Sequence, residues 1–88
     1  MRLTWTEEGW EDFASWLNDA KMTRRICLIL KDIKRSLFEG IGRPEELKHE
    51  LSGWWSREID GKNRIVYFYD EDNDSVIIAR CRGHYSDK

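Results

Sequence analysis

Five residues in the second half of this 88-residue chain combine types suited to moving protons beside a phosphate: Glu45, Lys48, Arg64, His84 and Tyr85. A carboxylate can take a proton, an imidazole can give one near neutral pH, and Lys and Arg carry the positive charge that a phosphate attracts. Together these types fit cleavage of RNA by its own 2′-hydroxyl. That reaction needs a base near the attacking hydroxyl, cations for the charge growing on the phosphorane oxygens, and an acid for the departing 5′-oxygen. DNA lacks the hydroxyl, so the chemistry selects RNA. On composition and spacing alone the alternative stays open that these are solvated charges on a sheet surface.

Other chemistries are poorly supported. His49, His84, Cys27 and Cys81 have no ligand spacing of the C-x-x-C or H-E-x-x-H kind, which argues against a metal site. Gly40 and Gly42 end a helical stretch where a phosphate-binding loop would open one, so no cofactor is expected. No Ser/His/Asp triad is signalled. The two cysteines sit in apolar contexts and are expected to be buried free thiols. No apolar run approaches the roughly 20 residues of a membrane span, and MRLTWTEEGW lacks the core of a signal peptide. A soluble cytoplasmic protein with no membrane partner is therefore expected. Net charge is only −2, from 15 basic and 17 acidic residues, yet the charges are segregated. Acids crowd Glu7 to Asp12 and Asp70 to Asp74. Bases crowd Lys21 to Arg35 and recur at Arg43, Lys48, Arg57, Lys62, Arg64, Arg80 and Arg82. A basic face of this kind can steer a polyanion whatever the net charge.

The elements that must position these residues follow from periodicity. Eighty-eight residues make one domain, 1–88. A core this small buries roughly 60–65% of the unfolded chain's surface, and five Trp, three Tyr and three Phe offset its thinness. Arg2 to Trp5 reads as a short strand. Thr6 suits an N-cap ahead of Glu7 and Glu8, and Trp10, Phe13, Ala14 and Leu17 make a helical apolar stripe. A second helix from about Thr23 carries Ile26, Ile29, Leu30, Ile33 and Leu37, the two helices being antiparallel. After the loop FEGIGRP the period shortens towards two. Trp54 to Ile59 and Arg64 to Tyr69 flank the turn Asp60-Gly61-Lys62-Asn63, and Ser75 to Arg82 is the last strand. A further strand is expected near Leu47 to Leu51. Helices followed by a strand meander describe an α+β fold with the helices on one sheet face. Parity on the last strand assigns Ile77, Ala79 and Cys81 to the core. It leaves Val76, Ile78, Arg80, Arg82 and His84 on the other face, where Arg64 could join Arg82 and His84 in one patch.

The ordered series PEELKHELSGWWSREI, NRIVY and CRGHY, with the opening LTWTEEGWEDFASW and the loop FEGIGRPE, resembles YoeB-type toxins of the RelE superfamily from Leu3 to Tyr85. The resemblance implies a RelE/microbial-ribonuclease-like fold, two N-terminal helices packed on a twisted antiparallel β-sheet. It further implies a ribosome-dependent endoribonuclease of a type II toxin–antitoxin system that cuts mRNA in the A site. Products would be a 2′,3′-cyclic phosphate and a 5′-hydroxyl, without metal or cofactor. By the same resemblance Glu45 matches the general base, Arg64 the transition-state arginine, His84 the general acid and Tyr85 a residue positioning RNA. Lys48 and Arg57 match basic positions near the phosphate, and Arg82 is expected to join them. Implied partners are a YefM-like antitoxin, the ribosome and mRNA, and operator DNA through the antitoxin complex; a homodimer is compatible. The rival is a non-catalytic RelE-fold module that binds antitoxin or RNA and acts as co-repressor. Glu46, Glu58, Asn63 and Gly83 depart from the family's usual residues, and Ser86-Asp87-Lys88 extends past its usual end.

Overall fold

Thr6 and Asp19 show how local chemistry starts the two helices. The Thr6 side chain accepts the Gly9 N–H at 3.0 Å and opens α1 (Glu7–Ala14), with Glu7 and Glu8 in its first turn. Asp19 accepts the Met22 N–H at 3.1 Å and opens α2 (Ala20–Arg35), three residues before the expected start. The computed structural model describes residues 1–84; Tyr85, Ser86, Asp87 and Lys88 lie outside the described residues. The strands are β1 (Arg2–Trp5), β2 (Glu45–Glu46), β3 (Trp55–Glu58), β4 (Arg64–Asp70) and β5 (Ser75–Arg80). They form one sheet in the order β1-β5-β4-β3-β2. Every pairing is antiparallel except β1 with β5, so the sheet is mixed, not wholly antiparallel as expected. Where a strand was expected near Leu47 to Leu51 there is a 3-10 turn, His49–Leu51.

The core lies between the helices and one sheet face. Ile26, Ile29, Leu30 and Ile33 of α2 are buried with Ile65, Tyr67, Val76, Ile78 and Cys81, in the period expected for the helix. The first helix departs from its expected stripe. Gly9 is buried against β5, whereas Trp10 is 52% and Leu17 58% exposed. The helix ends at Ala14, so Leu17 falls beyond it, and Trp10 instead packs edge-on to Trp5 with ring centroids 5.9 Å apart. Cys27 is exposed and Cys81 buried, so the expectation of two buried thiols fails at Cys27. Burial pushes the Cys81 thiol up to about 12, with Asp12 nearby adding to the effect.

The last strand reverses the expected parity. Val76 and Ile78 are fully buried, while Ile77 pairs with Phe68 on the opposite face. A bulge explains the reversal. Tyr67 stands opposite Ile78 and Val66 opposite Arg80, so Ala79 is an extra residue and the alternation changes phase there. Beyond it Arg80 lies across from Val66, and Cys81 returns to the core. The second sheet face is partly roofed by residues 47–54. Leu47 donates its N–H to the Trp54 carbonyl at 2.9 Å, and Trp54 stacks on Phe68 at 5.2 Å. Leu47 of this roof is buried, as are Ser56 and Val66 of the sheet.

Candidate functional site

At the rim of that roof β2, β3 and β4 bring polar residues to one face by register. Glu45 stands opposite Ser56, and Glu58 opposite Arg64. Arg64 approaches Glu45 with Nη1 3.9 Å from Oε1, and donates from the same nitrogen to the Ser56 hydroxyl at 3.4 Å. Its side chain is 17% exposed and that of Glu45 53%. At this depth the guanidinium is largely shielded from water, with the Glu45 carboxylate and the Ser56 hydroxyl facing it. Glu58 is ion-paired with Arg43 at 3.5 Å. Ser56 was not singled out in the sequence; its parity with Glu58, on the same face as Glu45, is the signal that points to it.

The segment after β5 joins this face through its backbone. After β5 the main chain bends, and Arg64 donates its N–H to the Gly83 carbonyl at 3.0 Å. Gly83 in turn donates to Asn63 Oδ1 at 2.8 Å. His84 therefore follows directly on a residue bound to the Arg64 main chain. Upstream, Cys81 donates to Asp12 Oδ2 at 3.0 Å, and Trp16 Nε1 donates to the Cys81 carbonyl at 2.9 Å. Glu45, Arg64 and the backbone that leads to His84 are thus carried by three separate segments joined through Arg64.

Residues 5–85 match the model of the YoeB-like toxin of bacterial type II toxin–antitoxin systems. The chain belongs to the YoeB toxin family. Toxin YoeB of Escherichia coli O6:H1 is 48% identical over 86 residues, covering 97% of this chain and 100% of that protein. Toxin YoeB of Streptomyces coelicolor is 46% identical with the same coverage. Among solved structures, a YoeB/ParE toxin from Agrobacterium tumefaciens superposes with a TM-score of 0.93 at 37% identity, over 97% of this chain and 100% of that one. YoeB from Staphylococcus aureus, solved as a dimer and in a heterotetrameric complex with YefM, gives 0.86 at 39%, over 97% and 98%. YafQ from E. coli shares the fold at a TM-score of 0.76 but only 8% identity. YoeB toxins are ribosome-dependent mRNA interferases, and this chain is a toxin of that family.

Within the YoeB framework one expected phosphate contact, Arg57, is corrected, and Arg82 stands away from its expected patch. Arg57 is fully buried on the helix side of the sheet. Its Nη1 donates to Asp32 Oδ2 at 2.6 Å and the Ile41 carbonyl at 3.1 Å, its Nη2 to the Ser36 and Glu39 carbonyls, and its Nε to the Tyr67 hydroxyl. With its N–H groups committed inside the protein, Arg57 fastens the 36–41 loop and meets no phosphate. The Arg35 guanidinium, the Ile41 N–H and Arg57 together hold the Asp32 carboxyl down at about 2. Burial pushes the Tyr67 hydroxyl up, partly countered by Arg57. Arg82 leaves the expected patch because regular strand ends at Arg80 and the chain bends beyond it. Its guanidinium lies 4.2 Å from the Trp16 ring and donates to the Ser15 hydroxyl at 2.8 Å, at the end of α1. Lys48 is exposed where the chain enters the 3-10 turn. Tyr85 lies outside the described residues. Among the described residues no three His, Cys, Asp or Glu side chains gather as a metal site would need.

Proposed function

We propose that Glu45, Arg64 and His84 carry the mRNA cleavage of this YoeB toxin. Glu45 accepts the proton of the ribose 2′-hydroxyl as its oxygen attacks phosphorus. Arg64 stabilises the charge on the non-bridging oxygens, and His84 gives a proton to the 5′-oxygen as the P–O5′ bond breaks. The products are a 2′,3′-cyclic phosphate and a 5′-hydroxyl. The scheme calls for no metal, because the guanidinium meets the developing charge. Lys48 serves as an outer phosphate contact, and Tyr85 would orient the RNA beside His84. The ribosome supplies the alignment that a site with an exposed carboxylate base lacks, which places the action in the cytoplasm. The observation that carries the reading is the approach of Glu45 to Arg64 at 3.9 Å, with the residue before His84 bonded to the Arg64 main chain.

A YefM-like antitoxin is the proposed partner, supported by the S. aureus YoeB–YefM complex among the structural neighbours. Operator DNA would be met through that complex, and the S. aureus YoeB dimer supports self-association. The test compares wild type with Arg64→Ala and His84→Ala on ribosomes programmed with mRNA. Each variant should lose at least about 100-fold in cleavage rate, within the range that a positioned acid or a charge-stabilising donor supplies. Equal growth arrest by all three proteins with mRNA intact would instead establish the non-catalytic binding module.

A further inference from the structure

We propose that Asn63 is the positioning residue for His84, a role that rests on reading His84 as the general acid. Regular pairing of β5 ends at Arg80, so the residues beyond it must be held by other bonds. Here both main-chain polar groups of Gly83 are held by two consecutive residues, the last of the β3–β4 connection and the first of β4. Asn63 Oδ1 accepts the Gly83 N–H at 2.8 Å, and the Arg64 N–H donates to the Gly83 carbonyl at 3.0 Å. One of the two holders is the guanidinium residue of the site. The distance between acid and cation is therefore set through Gly83 and one short backbone clamp.

The amide of Asn63 is itself oriented. Its Nδ2 donates to Asp60 Oδ1 at 3.0 Å and to Oδ2 at 3.3 Å. A carboxylate can only accept, so the nitrogen must face Asp60 and the oxygen must face Gly83. Asp60 is fixed in turn by the N–H groups of Lys62 and Asn63, both at 2.8 Å. Gly83 sits at φ +77, a left-handed conformation costly for other residues, and a Cβ there would lie 3.3 Å from Arg80 Nη2. Arg80 Nη2 donates to the Arg82 carbonyl at 3.2 Å, closing the bend from the other side. The chain of contacts Asp60–Asn63–Gly83 aims the backbone that presents the imidazole.

A change of leaving group tests this. Replacing the scissile 5′-oxygen by sulfur makes the leaving group good enough to depart without a proton. A protein whose acid is misplaced should then recover, whereas one that is misfolded or has lost Arg64 should not. Wild type, Asn63→Ala, Asn63→Asp, His84→Ala and Arg64→Ala are each given both substrates on programmed ribosomes under single-turnover conditions. Asn63→Ala should lose about tenfold or more on the oxygen substrate, part of what a general acid supplies. On the sulfur substrate it should come within about twofold of wild type. Asn63→Asp keeps an oxygen for Gly83 but sets a second carboxylate against Asp60. It should show the same selective recovery from a smaller loss, and it carries the test if Asn63→Ala is poorly folded. Equal losses on both substrates for the Asn63 variants, or wild-type rates on both, overturn the proposal. If His84→Ala recovers on sulfur and the Asn63 variants do not, only the role of Asn63 fails. Failure of His84→Ala to recover removes the acid role of His84 and this proposal with it.

Discussion

Arg57 carries a buried charge with a partner for each arm, and its removal tests what holds the loop before Glu45. Breaking a buried ion pair from one side leaves its partners unsatisfied and typically costs about 3–5 kcal/mol. Arg57→Leu should therefore lose on the order of 3 kcal/mol in urea denaturation. Arg57→Lys should recover little, because one ammonium cannot span Asp32, the loop carbonyls and Tyr67 at once. A loss under about 1 kcal/mol would place Arg57 among ordinary surface pairs. The burial was legible in principle. Trp55, Arg57 and Ile59 share one parity, and both neighbours of Arg57 on that parity pack against the core. Glu45 and Arg64 illustrate the opposite outcome, since register on three adjoining strands brought them together as their types suggested.

The first helix lies directly on β5 through a residue with no side chain. A Cβ at Gly9 would stand 2.2 Å from the Ile78 carbonyl oxygen and 2.9 Å from its carbon, both main-chain atoms that cannot rotate away. Gly9→Ala should lift α1 off the strand and cost about 2 kcal/mol, the usual scale of overpacking. A shift in thermal midpoint checks this, and an unchanged midpoint would mean that the helix rests on its flanks. The same contact matters for the site, because Asp12 and Trp16 hold Cys81 just before the bend to His84. The Thr6 cap, the α2 stripe and the β3–β4 turn were readable from local patterns. The bulge at Ala79 was not, because an extra residue in one strand depends on the partner's hydrogen bonds and leaves no mark in apolar alternation. Its consequence is the reversed parity of Val76 and Ile78.

Across the whole molecule, acid should be the destabilising direction. Asp32 falls from an ordinary 3.8 to about 2. Asp60 and Asp74 are lowered as well: for Asp60 the N–H groups of Lys62 and Asn63 outweigh burial, and for Asp74 the Tyr69 hydroxyl leads. A depressed carboxyl favours the folded state fully above its unfolded value, and that contribution disappears as pH falls through the folded value. Urea midpoints should therefore decline as pH drops from 3.8 towards about 2. Asp32→Asn should be less stable at neutral pH and show a shallower decline; an identical slope would remove Asp32 from the account. By itself the sequence determined the class of fold, the α2 core stripe, the helix starts near Thr6 and the residue types available for RNA chemistry. These depend on interactions within a few positions along the chain, or on a motif series shared with a family. Only the tertiary structure decided that Arg57 is an internal anchor, that Arg82 belongs to α1, and that Asn63 reaches Gly83 twenty residues away. Each of those outcomes turns on which hydrogen-bond partner lies across a strand or loop, and distance in space is what periodicity cannot encode.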